Sequence, residues 1–170
     1  LGKPIHDRPE EIKEATNAAL RAGKVHYGDL QGEPAFRQAL AEKLRSFNRI
    51  EATADEVLVT NGLTQASFAA FLALIDPGDE VILLEPYYPQ HVGKIELAGG
   101  VCITVPVHPE RDFGIPAHWV EAAITPRTKM IVLVNPCNPT GRVYSRQELE
   151  QLADVAVRHD LFVVSDEVYE

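Results

Sequence analysis

From Glu56 onward the chain alternates short apolar runs with longer amphipathic stretches. Strands are expected at Val57–Thr60, Glu80–Leu84, Val101–Val105, Lys129–Val134 and Leu161–Val164. These runs are continuously apolar rather than alternating, as strands buried on both faces are. Between them, Thr64–Ile75, Gln90–Ala98, Pro116–Ile124 and Ser145–His159 read as helices. Asp76-Pro77-Gly78 and Gly99-Gly100 stop two of these helices. Ser145, with Glu148 three residues on, has the spacing of a capping box at the start of the last. Strand and helix in alternation imply right-handed βαβ units, hence an α/β fold with a mostly parallel sheet and flanking helices.

The N-terminal part reads differently. Leu1–Pro9 is extended. Pro9-Glu10-Glu11 opens a helix, with Pro at its start and acids in its first turn. Ile12, Ala15, Ala19 and Leu20 form its apolar face, and Gly23 ends it. Lys24–Glu33 is a Gly-rich loop. Pro34 begins a second helix with Phe36, Leu40 and Leu44 on one face at spacing four.

Length and charge narrow the function. The chain has 170 residues, 45% of them apolar, and a formal net charge of −9. That is enough apolar chain for a real core. An acidic balance disfavours a nucleic-acid partner, which needs clustered Lys and Arg. Cys102 and Cys137 have no CxxC spacing, which points to a reducing, cytoplasmic setting and no structural metal. No apolar run is long enough to span a membrane. The chain lacks an initial Met and stops at Glu170 beside a strand end, so a fragment is expected.

The candidate chemistry lies in loops that end strands, where open α/β sheets bind ligands. Asn61-Gly62-Leu63-Thr64 runs into a helix whose free N–H groups suit a phosphate, though a Gly there is also an ordinary turn. Tyr87-Tyr88, held between prolines, is either surface packing or a platform for a heteroaromatic ring. Asn135-Pro136-Cys137-Asn138-Pro139-Thr140-Gly141 is a rigid turn, because each Pro removes a donor and restrains the residue before it. Asn138 in it is either structural or a donor to a phenolate oxygen. Asp166, just past a buried strand, needs a partner. It is a helix N-cap beside a packing Tyr169, or the counter-charge of a pyridine nitrogen, the central need of pyridoxal chemistry. No HExxH or Ser/His/Asp signature appears among the six His. His91 alone lies near a candidate loop.

These segments occur in a familiar order. Asn135–Gly141 closely resembles the Asn-Pro-x-Asn-Pro-Thr-Gly motif of the class I/II aminotransferases, the aspartate aminotransferase family of fold-type I pyridoxal-phosphate enzymes. Ser165-Asp166-Glu167-Val168-Tyr169 resembles that family's Asp-Glu-x-Tyr segment. Val59-Thr60-Asn61-Gly62 with Gln65-Ala66 resembles its phosphate loop, and Pro86-Tyr87-Tyr88-Pro89 its Pro-x-aromatic-Pro segment. Tyr27-Gly28 with Gly32, and Gly2-Lys3-Pro4, resemble its N-terminal elements.

The resemblance implies roles by position. Leu63 and Thr64 would bind the phosphate of pyridoxal 5'-phosphate, Tyr88 would stack on its ring, and Asn138 and Tyr169 would bond its phenolic oxygen. Asp166 would pair with the ring nitrogen, and Tyr27 would reach a neighbouring subunit's phosphate in a homodimer. Gly2 and Asn138 would meet the substrate. Cis peptides are expected before Pro139 and, in the family's manner, before Pro86. Residues 1–33 would be small-domain and interface elements, and 34–170 a partial cofactor-binding domain. The family's Schiff-base lysine and its late substrate-binding arginine would lie beyond Glu170, so the chain alone would hold no catalytic residue. The implied function is amino-group transfer from an amino acid to a 2-oxo acid. A lyase or synthase of the same fold, or a non-catalytic aminotransferase-like binding module, is the alternative.

Overall fold

The computed structural model describes residues 5–170, and Gly2 therefore lies outside the described residues. Contacts divide the chain into two compact units, one ending at Val59 and one running from Thr60 to Glu170.

The first unit carries helices α1 (Glu10–Arg21) and α2 (Pro34–Lys43), each opened by the expected proline. The apolar face expected on α1 is not covered: none of its residues is buried. On α2 the buried residues are Arg37 and Ala41, while Phe36 is exposed and Leu40 and Leu44 are half-buried. Arg37 wins the interior because its fork is satisfied there. It donates to the carbonyls of Gly32 (3.2 Å) and Ala54 (3.0 Å) and to Gln31 Oε1 (2.9 Å). The strand expected at Val57–Thr60 does not form. The segment is extended, but it has no strand beside it among the described residues. Its Val59 N–H bonds the Gln31 carbonyl instead.

The second unit is built on a four-stranded, all-parallel sheet of β1 (Glu80–Glu85), β2 (Val101–Pro106), β3 (Thr128–Val134) and β4 (Phe162–Asp166). The order is β2-β1-β3-β4, with Ile82 beside both Ile103 and Ile131, and Ile131 beside Val163. Helix α3 (Gly62–Leu74) precedes β1, and α4 (Gln90–Leu97), α5 (Ala117–Ala122) and α6 (Arg146–Arg158) lie between successive strands. Alternate residues of the two central strands feed opposite faces, as the pleat requires. Ile82, Leu84, Ile131 and Leu133 pack with Val120 of α5 and Leu152 and Val155 of α6. Val81, Leu83, Met130 and Val132 pack with Phe71 of α3 and Ile95 of α4.

Burial on both faces holds for β1 and β3 only. The edge strands β2 and β4 are largely exposed, each paired along one side, so continuous apolar sequence overstated their burial. The capping box forms as expected: Glu148 N–H donates to Ser145 Oγ, and Glu148 Oε2 accepts from the Ser145 N–H at 2.8 Å. Gly100 stops α4 where any Cβ would lie 2.9 Å from methyls of Ile75 and Ile95. The peptides before Pro86 and Pro139 are cis as expected, and so is the one before Pro136, which had not been singled out.

Candidate functional site

The strand order places a topological switch at β1 and β3. The chain leaves β1 for β2 on one side, then returns past β1 to β3 on the other. The connections leaving the C-terminal ends of these two neighbouring strands run in opposite directions and leave a crevice. There a cavity of about 260 Å³ is lined by Leu63, Thr64, Tyr88, Val134, Asn138, Asp166, Val168 and Tyr169.

Each lining group is placed by a local rule. Gly62 opens α3 with a φ of +73°, a left-handed conformation that Gly adopts at little cost. Asn61 makes no side-chain cap, so it does not take up the first-turn N–H groups of Leu63 and Thr64. They remain donors at the positive end of the helix dipole. The two tyrosines divide: Tyr87 packs against the core beneath α3 and α4, whereas Tyr88 faces the cavity.

The double-proline turn is closed by backbone bonds from Cys137 N–H to the Arg142 carbonyl and from Gly141 N–H to the Cys137 carbonyl, both 2.8 Å. Asn135 ties this turn to its surroundings, its N–H bonding the Asp166 carbonyl at 2.9 Å and its Oδ1 accepting from Tyr144 N–H at 3.1 Å. So held, Asn138 donates from Nδ2 to Tyr169 Oη at 3.2 Å, which joins two candidate residues 31 positions apart.

Asp166 ends β4 and is 4% exposed. Its Oδ1 accepts from the Val168 N–H at 3.2 Å, and its Oδ2 lies 3.2 Å from Nε2 of His91. His91 is completely buried, and among the described residues its Nδ1 has no hydrogen-bond partner. A carboxylate partner calls for a donor, so the proton sits on Nε2 and Nδ1 is a bare acceptor. Burial pushes the His91 pKa below its ordinary value, and the nearby Lys94 charge pushes the same way, against the pull of Asp166. The unpartnered Nδ1 and the lowered pKa both favour the neutral imidazole.

Six of the sequence candidates thus meet in one cavity. Tyr27 belongs to the other unit and is fully exposed there. Sequence alone placed His91 only near a candidate loop, and it missed Lys94 and Ser67. All three are buried polar residues beneath the site, and Lys94 donates to Ser67 Oγ at 2.7 Å. One signal was available: His91, Lys94 and Ile95 have the i, i+3, i+4 spacing of a buried helix face, and two of the three are basic. Among the described residues, no cluster of His, Cys, Asp or Glu could hold a metal ion. No helix described is long and apolar enough to cross a membrane.

Residues 2–170 match the family described as "Aminotransferase class I and II". The chain is 48% identical to the aspartate/prephenate aminotransferase of Thermus thermophilus over 99% of its own length and 44% of that protein. It is 40% identical to the aspartate aminotransferase of Pyrococcus abyssi over its full length and 44% of that protein. Among solved structures, the aspartate aminotransferase from Thermus thermophilus with maleate superposes with a TM-score of 0.97 at 47% identity, covering 99% of this chain and 44% of that one. The chain therefore spans less than half the length of these relatives.

Proposed function

The chain belongs to the class I and II aminotransferases, and on that premise we propose that the full-length protein transfers an amino group from an amino acid to a 2-oxo acid with pyridoxal 5'-phosphate. The observation that supports this most is the order of groups around one cavity: helix N–H donors, an aromatic side chain, an amide and a phenol joined together, and a buried carboxylate.

That donor set fits the cofactor end to end. Leu63 and Thr64 would take the phosphate, Tyr88 the ring face, Asn138 and Tyr169 the phenolic oxygen, and Asp166 the ring nitrogen. The cofactor supplies an electron sink for charge developing on the amino acid. The chain's part is to bind and orient it, and Asp166 holds a proton at the ring nitrogen. Asn138 and Gly2 would meet the substrate. No lysine lines the cavity among the described residues. The cofactor-anchoring lysine and the carboxylate-binding arginine would lie in the remainder of the full-length protein, so residues 1–170 alone would be inactive.

We also propose a homodimer in which Tyr27 serves the neighbouring subunit, with residues 1–33 as interface elements and 34–170 as part of the cofactor domain. The uncovered face of α1, with Ile12 and Leu20 more than half exposed, supports an interface there. Aspartate is the amino donor to test first, because relatives at 47–48% identity bear that name. The test incubates the purified full-length protein with pyridoxal phosphate, aspartate and 2-oxoglutarate. Glutamate should accumulate. No glutamate from this mixture, with pyruvate, ammonia and chloride released from β-chloroalanine instead, would make it a lyase, and no turnover of any amino acid would leave only a binding module.

A further inference from the structure

Lys94 is unusual for a lysine in being buried, at 7% exposure. Among the described residues its ammonium has one hydrogen-bond partner, Ser67 Oγ at 2.7 Å. Ser67 in turn donates to the Leu63 carbonyl at 2.9 Å, one turn behind the first residues of α3. Among the described residues no carboxylate touches Lys94, and burial pushes its pKa below the ordinary lysine value, with the field of Asp166 opposing. A buried cation in so poor a bonding environment is costly to keep. Its place explains what it can do. Lys94 lies three residues after His91 on the same face of α4, a spacing that puts their Cβ atoms about 5–6 Å apart.

The groups facing His91 are few. Asp166 comes from β4 and Lys94 from α4 itself, while the Phe71 ring of α3 and the Tyr88 ring stand edge-on to it with centroids 6.0 and 5.6 Å away. If His91 were to take a second proton, the imidazolium would neutralise Asp166 from behind. The carboxylate would then have little attraction left for a cation on its cavity side.

We propose that Lys94 is a positioning residue: a buried charge that keeps His91 in its neutral Nε2–H form, so that Asp166 is left to pair with a cationic ring nitrogen in the cavity. The part concerning the ring nitrogen rests on the function proposed above; the part concerning His91 does not.

The test uses the full-length protein, with and without pyridoxal phosphate, and the variants Lys94→Met and Lys94→Gln. Both remove the charge, and Gln can still bond Ser67. ¹⁵N-imidazole NMR follows His91, its resonances identified by their loss in His91→Phe. At a given acid pH, both variants should show a roughly tenfold higher imidazolium-to-imidazole ratio, the low end of what one nearby charge does. An unchanged ratio in both overturns the proposal. So does a change in Met but not Gln, because the hydrogen bond and not the charge would then be responsible.

Cofactor affinity, read from the visible absorption of bound pyridoxal phosphate, should equal or exceed the parent protein's in the variants at alkaline pH, where His91 is neutral in all three and Lys94 no longer competes for Asp166, and should fall below it as pH drops. A loss equal at all pH values would refute the link to Asp166. Failure of the parent protein to take up pyridoxal phosphate would sink the proposed function, and the NMR titration would still decide the effect of Lys94 on His91.

Discussion

Replacing Asp166 by Asn separates the charge of this carboxylate from its shape. One of the two existing contacts survives the change directly: Asn Oδ1 can accept from the Val168 N–H, while Nδ2 can donate to His91 Nε2 only if the imidazole proton moves to Nδ1; both contacts now measure 3.2 Å from the carboxylate oxygens. What disappears is the negative charge offered to the cavity. A hydrogen bond to a charged group contributes about 1.5–3 kcal/mol and a neutral one about 0.5–1.5 kcal/mol. The difference, about 1–2 kcal/mol, corresponds to roughly 5–30-fold weaker binding of pyridoxal phosphate. Absorbance titration of the full-length protein measures it, and thermal unfolding without cofactor is the control. Asp166→Ala should weaken binding too, but it also leaves the buried His91 Nε2–H without an acceptor. That adds a stability loss of about 1–3 kcal/mol. The expected signature is therefore a binding defect in both variants and a stability defect that is larger in Ala, which loses both contacts, than in Asn, which keeps at least one. An Asn variant that binds within twofold of the parent protein would refute the ring-nitrogen role of Asp166.

Other outcomes follow from the packing. Ser145→Ala should lower stability by about 1 kcal/mol through loss of the α6 cap, seen as a lower urea midpoint with an unchanged slope. Gly100→Ala should cost about 1–3 kcal/mol, because its Cβ would meet Ile75, Ile95 and the Asp79 carbonyl. Gly93→Ala, in α4 with open space around it, should be stabilising by about 0.5–1 kcal/mol, and thermal unfolding of the pair tests the contrast. The depressed pKa of His91 makes stability depend on pH. Below its ordinary value of 6.5 the unfolded chain takes up a proton that the folded one resists. The contribution is thus complete above 6.5 and falls as pH drops toward the folded value. The melting temperature of His91→Phe should decline less over that range than that of the parent protein.

The α/β class, the four helices of the second unit and the loops that carry the chemistry were legible along the chain. Those signals are local: continuous apolar runs, Gly and Pro breakers, and the Ser145–Glu148 spacing act within a few residues of one another. The double-proline turn was readable for the same reason, since each Pro restricts its own neighbours. Where the reading failed, the missing information was long-range. Val57–Thr60 has the composition of a strand, but a ladder needs a second strand, which composition cannot show. β2 and β4 look as buried as β1 and β3 in sequence, and only the strand order made them edges. Arg37 displaced Phe36 from the interior because the carbonyl of Ala54, 17 residues away, converges on its guanidinium together with nearer acceptors from Gln31 and Gly32.

The site divides along the same line. Sequence alone determined which loops hold Leu63, Thr64, Tyr88, Asn138, Asp166 and Tyr169, because turn and helix-start chemistry is written locally. Only the tertiary structure decided that they share one cavity and that Asp166 leans on His91, 75 residues away. It alone buried Lys94 beneath them, because burial and electrostatic coupling belong to groups that folding brings together, not to any one stretch of chain.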